Sequence, residues 1–130
     1  MIHSWWFQVL CVAGAGAVGA LCRWGIGNLA QYLSGGHYWP YGTWAVNLLG
    51  CLLFGFTVEM LRRHAPGVLH WELLLFVGFL GALTTFSTFA FDTYELLLER
   101  GILLALANSV LQVIAGVTAV GIGVVLGRTL

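Results

Sequence analysis

The sequence predicts an all-α membrane protein with four transmembrane helices, and composition is the first reason. Of its 130 residues 60% are hydrophobic and 8% charged, with a mean hydropathy of +0.94, far from the roughly 25% charged and 45–50% apolar of ordinary soluble domains. The second reason is the placement of the charges. Met1–Cys22, Trp24–Val58, Leu73–Phe91 and Gly101–Gly127 contain no Asp, Glu, Lys or Arg, and a span needs about 20 predominantly apolar residues. The third is the stretch SGGHYWPYGT, Ser34 to Thr43, whose paired glycines, proline and interfacial aromatics divide the longest of those runs. Together they predict spans at about 5–33, 42–62, 71–99 and 101–127, joined by short connections into one four-helix domain over residues 1–130.

Several function classes fall away at this level. The formal net charge is zero and Lys is absent, so no basic patch exists for a nucleic acid. Cys11, Cys22 and Cys51 all fall inside predicted spans, an odd number with no metal-ligand spacing. The histidines at 3, 37, 64 and 70 lie at segment ends beside no nucleophile or carboxylate that would make a catalytic set. No enzymatic role is expected. Arg62, Arg63 and Arg128 lie on the side shared by both termini, Arg100 lies opposite, and Arg23 is inside the first helix. The positive-inside rule thus favours cytoplasmic termini, on so few charges that insertion in both orientations stays open.

In the first helix Gly14, Gly16 and Gly19 read as small residues that let another helix approach closely. Arg23 sits late in the same run. A charge inside the membrane costs at least about 2.5–3.5 kcal/mol on the insertion scale and marks a functional site by default; the other reading is an arginine that snorkels to the far face, where it can line an anion vestibule. In the second helix Asn47 lies inside the apolar run of WPYGTWAVNLLG. Its amide is read either as an interhelical hydrogen bond or as a donor to an anion in a pore.

The third span holds GALTTFSTFAFD, Gly81 to Asp92, with four hydroxyls in five positions, Thr84, Thr85, Ser87 and Thr88. Gly78, Gly81 and these hydroxyls weaken a helix by backbone entropy and by competing for its hydrogen bonds, so the helix is predicted to break there. Irregular backbone at membrane depth is tolerated where it is buried in protein or lines a cavity, and freed carbonyls suit a cation. The competing reading is a continuous helix whose hydroxyls bond back to the preceding turn. Phe86 and Phe89, three apart, share a face, and their ring edges carry partial positive charge. Asp92, Glu95 and Glu99 form one further face. In the fourth helix Asn108, Gln112, Gly116 and Val120 make a stripe, readable as hydrogen-bonded glue or as a polar track.

Three blocks in this order, GAGAVGALCRW, WPYGTWAVNLLG and above all GFLGALTTFSTF (Gly78 to Phe89), resemble the CrcB/Fluc family of fluoride channels over essentially the whole chain. The resemblance implies a fluoride-selective channel of the cell inner membrane, which passively exports fluoride that enters as neutral HF. It implies an antiparallel dual-topology homodimer with the third helix broken mid-membrane and two fluoride pores at the dimer interface, in contact with membrane lipid. It also implies a structural sodium ion (Na+) at the dimer centre, held by backbone carbonyls that map to Gly81 and Thr84. The family's pore phenylalanines map to Phe86 and Phe89 and its pore asparagine to Asn47; Ser87 and Thr88 would add hydroxyl donors, and Arg23 matches the arginine ending the first block. Two departures stand out. Asp92 replaces a common glutamate, and the fourth-helix stripe, often Tyr and Ser in relatives, leaves Asn108 and Gln112 as its polar members here. The alternative is a small four-span proton-coupled multidrug or cation transporter, for which Asp92 and Glu95 are the sole buried acids available.

Overall fold

The computed structural model describes residues 5–64 and 72–129. The histidines at 3 and 70 and the first residue of the third predicted span, 71, lie outside them. Four helical stretches are long and apolar enough to cross a membrane: Trp5–Leu33, Tyr41–His64, Leu73–Arg100 and Ile102–Thr129. The first two are α1 and α2. Only 6% of the most apolar window of α1, and 22% of that in each other stretch, is buried within the chain, so a medium that tolerates apolar surface must cover the rest.

The third stretch is composite. It begins as a π-helix, Leu73–Leu80, tightens into one turn of α-helix, Gly81–Leu83 (α3), and resumes as α4, Phe86–Arg100. Between them Thr84 (φ −84°, ψ 159°) and Thr85 (φ −149°, ψ 116°) are extended. The last helix, Ile102–Thr129, is α5. Gly35 and Gly36, both at φ 71°, turn the chain out of α1, and Gly101, at φ 90°, turns α4 into α5; these left-handed values suit glycine because it lacks a Cβ.

Two helix pairs organise the packing, α2 on α5 and α1 on the π-helical half of the third stretch. Both depend on bare backbone. A Cβ on Gly55 would strike the Val120 carbonyl, and one on Gly123 would strike that of Leu52. Gly78 fits against Ala15, whose Cβ would lie 2.8 Å from an added methyl, and Gly19 sits on the Phe79 carbonyl. Of the three first-helix glycines that the sequence singles out, Gly19 alone is pressed this way; a Cβ added to Gly16 would lie 3.8 Å from the Gly78 carbonyl, and one added to Gly14 would meet nothing within 4 Å among the described residues. At the end of the bundle where α2 and α5 finish, Glu59 is buried and meets Arg62 at 3.8 Å and Arg128 at 3.5 Å, while Arg63 donates to the Arg128 carbonyl. The arginines assigned to one side by sequence therefore do share one end.

Candidate functional site

The extended threonines form the wall between two cavities. One is an apolar groove of about 480 Å³, lined by Asn47, Gly81, Thr84, Phe86, Phe89 and Gln112 among others. The other, of about 720 Å³, is polar and lined by Arg23, Thr43, Ser87, Thr88, Asp92 and Arg100 among others. Thr85 borders both.

Asn47 sits one helix away from this wall and makes a two-point bond to it. The Thr85 N–H donates to Asn47 Oδ1 at 2.8 Å, and Asn47 Nδ2 donates to the Thr85 carbonyl at 3.2 Å. A side-chain amide has the same donor and acceptor as a peptide, so Asn47 pairs with Thr85 as a neighbouring strand would. Thr85 is 8% exposed, and without this partner its peptide would be a buried polar group lacking a mate. Thr85 then caps α4: its Oγ1 accepts from the Thr88 N–H at 3.2 Å and lies 3.0 Å from Thr88 Oγ1 and 3.3 Å from Ser87 Oγ. Thr84 Oγ1 donates back to the Leu80 carbonyl at 3.0 Å.

These bonds redirect two donors. In an unbroken α-helix the Thr85 N–H would donate to the Gly81 carbonyl and the Thr88 N–H to that of Thr84, following the i to i−4 ladder. Here the first goes to Asn47 and the second to Thr85 Oγ1. The carbonyls of Gly81 and Thr84 are thereby released from those partners, and both residues line the groove.

Phe86 and Phe89 stand at its mouth with ring centroids 5.7 Å apart and planes at 52°. Phe86 is 80% exposed. Gln112, by contrast, is 6% exposed, and among the described residues neither end of its amide has a hydrogen-bond partner. Buried amides are normally paired, so this one marks the floor of the groove as a place with polar capacity to spare.

The remaining residues singled out by sequence divide differently. Ser87 and Thr88 face the larger cavity with Arg23, on the far side of the wall from the rings. Asp92, Glu95 and Glu99 line that cavity together, as their spacing implies, and Asp92 accepts a short bond from Thr43 Oγ1. At the cavity's outer edge the Arg100 guanidinium lies 4.7 Å from the centre of the Tyr38 ring. Asn108 lines neither cavity. It is 0% exposed, accepts from Trp44 Nε1 at 2.7 Å and donates to Thr93 Oγ1 at 2.8 Å, while Thr93 donates on to the Phe89 carbonyl at 2.8 Å. This chain of bonds ties α2, α4 and α5 together. It fits the hydrogen-bonded-glue reading of Asn108, with Trp44 on its oxygen and Thr93 on one amide hydrogen.

Sequence reasoning did not single out Thr43, Trp44 and Thr93. The available signal was general: each carries a polar group within a predicted span, where every such group must find a partner.

Comparison with known proteins gives a consistent result. The family described as "CrcB-like protein, Camphor Resistance (CrcB)" matches residues 10–124. A protein of Geobacter sp. (strain M21) named "Fluoride-specific ion channel FluC" is 41% identical over 125 residues, covering 95% of this chain and 98% of that protein. Proteins of the same name from Dehalococcoides mccartyi (strain CBDB1) and Chloroflexus aurantiacus (strain J-10-fl) are 38% and 41% identical over 123 and 121 residues, covering 95% and 93% of this chain and 94% and 95% of theirs.

Proposed function

The chain belongs to the CrcB family, and from that premise we propose that it is a fluoride-selective channel, passively exporting the anion across the cell inner membrane. The observation that carries this reading is the groove itself, where one amide, two phenyl rings and a buried, unpaired glutamine converge. Fluoride is small and a strong acceptor, so a path for it must replace hydration with close donors. Asn47 Nδ2 has two hydrogens, of which the Thr85 carbonyl takes one, leaving the second for an anion. The edges of Phe86 and Phe89 offer partial positive charge without competing acceptors, and Gln112 adds a further amide. No enzymatic step is involved. Arg23, in the larger cavity, raises the local concentration of anions at the vestibule that Ser87 and Thr88 also line.

The working unit in this proposal is a homodimer of two copies inserted antiparallel, with membrane lipid around it. Gly81 and Phe86 are exposed in the single chain, midway along an apolar stretch. Exposing a released carbonyl to hydrocarbon costs several kcal/mol, which a second copy covering this face avoids. The Gly81 and Thr84 carbonyls fit a hard cation because their helical donors are spent elsewhere. We assign them as ligands of a structural Na+ at the dimer centre, whose charge, when bound, offsets the carbonyl dipoles brought together there.

The test is reconstitution of the purified protein in liposomes, with fluoride and chloride efflux compared. Rapid fluoride efflux with chloride retained is expected. Equal rates for both ions, or no efflux of either, would refute a selective channel.

A further inference from the structure

Asn47 holds the wall open as well as facing the groove. We infer that Asn47 is a positioning residue for the cation site: by accepting the Thr85 N–H it keeps the Gly81 carbonyl free to hold sodium. This rests on the proposed role of the Gly81 and Thr84 carbonyls and assigns their geometry to a side chain on a different helix.

Three observations lead there. The Thr85 N–H has one good acceptor in the structure, Asn47 Oδ1 at 2.8 Å, and the same N–H is the natural helical donor to Gly81. The two partners compete for one proton, so Asn47 and the helix cannot both be satisfied by it. Thr85 is buried, and a buried N–H needs an acceptor, so loss of Asn47 favours return of this donor to the Gly81 carbonyl. The second arm, Asn47 Nδ2 to the Thr85 carbonyl at 3.2 Å, grips the next peptide unit, so that Thr85 is held on both sides in its extended conformation. The Thr84 carbonyl is freed by a different device, the capping hydroxyl of Thr85, which does not involve Asn47. Loss of Asn47 is therefore expected to remove one carbonyl and spare the other, weakening the cation site without abolishing it.

The consequence is a coupling between the two ions. A single amide on α2 contributes its spare N–H to the anion groove and its oxygen to the geometry of the cation site, and its two ends can be removed one at a time. Asn47→Asp keeps an acceptor for the Thr85 N–H and loses the donor. Asn47→Leu is of comparable size and loses both.

The test uses the full-length protein in detergent, in sodium chloride against N-methylglucamine chloride at constant ionic strength. The sodium concentration for half-maximal thermal stabilisation is read for the parent and both variants, and confirmed by sodium-23 NMR line broadening. Re-forming one helical hydrogen bond in competition with sodium is expected to raise that midpoint about three- to tenfold in Asn47→Leu, while Asn47→Asp stays at or below the parent value and still conducts fluoride slowly. A purely structural role for Asn47 would lower the sodium-free melting temperature of the Leu variant and leave its sodium midpoint unmoved, which would overturn the inference while leaving the sodium site standing. Equal shifts in both variants would overturn it as well. A parent protein whose stability is indifferent to sodium would overturn the cation site itself, and the inference with it.

Discussion

Asn108 is readable from sequence as glue or as part of a polar track, and replacing it with leucine separates the two. Asn108→Leu removes the bond from Trp44 Nε1 and the bond to Thr93 Oγ1. The two partners are affected unequally. Thr93 keeps the Phe89 carbonyl as its acceptor, whereas the Trp44 indole N–H is left without the one it had. Interhelical hydrogen bonds in membranes average about 0.6 kcal/mol, and a buried donor left unpaired costs about 1–3 kcal/mol. One orphan and two lost bonds, at a site with no exposed surface, give an expected destabilisation of about 2 kcal/mol. The assay is equilibrium unfolding in mixed micelles, with fluoride efflux measured in parallel on the folded fraction. Stability is expected to fall and the rate per folded protein to stay within about twofold of the parent, because the amide lies outside both cavities. Adding Trp44→Phe removes the orphaned donor, so the double variant is expected to lose less than the sum of the two single changes. A change in stability below about 0.5 kcal/mol would show that the network carries no net energy. A folded variant with efflux reduced tenfold would place Asn108 in the ion path and refute the reasoning.

Gln112→Leu is expected to behave oppositely: with both amide ends unpaired, its removal leaves stability unchanged or raised by up to about 1 kcal/mol, while fluoride efflux slows; unaltered efflux would exclude it from the path. Phe86→Ile takes away a ring edge from an exposed position and is expected to slow fluoride efflux while leaving the elution volume on size-exclusion chromatography unchanged; parental rates would remove that ring from the proposed path. Gly123→Val drives a branched side chain into the Leu52 backbone, where relief requires the α2 and α5 axes to separate, so a loss of at least about 1–3 kcal/mol and poor recovery of folded protein are expected. Recovery at parental yield and stability would show that the two helices can part freely there.

How far the site was legible in the sequence differs from residue to residue. The face shared by Phe86 and Phe89 follows from a spacing of three within one helix, and their rings are neighbours. The acidic face of Asp92, Glu95 and Glu99 was legible for the same reason. Ser87 and Thr88 are different. They follow an extended pair, and two residues at extended dihedrals reset the rotational phase, so the side of α4 on which a side chain emerges cannot be extrapolated from the residues before the break. Composition left a broken and a continuous helix both open at Thr84 and Thr85, and the release of the Gly81 carbonyl depends on a side chain from α2.

Sequence alone determined the four apolar stretches, because transfer free energy adds residue by residue along a chain; which glycines bring helices together was decided in space, since Gly19 is pressed while Gly14 and Gly16 are not. Sequence left the amides undecided. Asn47, Asn108 and Gln112 are chemically alike and lie within similar apolar runs. Tertiary structure alone made the first a surrogate strand for Thr85, the second a strut between Trp44 and Thr93, and the third a buried group with nothing to bond. Hydrogen bonds are short and directional, so their pairing is settled by which helix faces meet, and that is fixed in space rather than along the sequence.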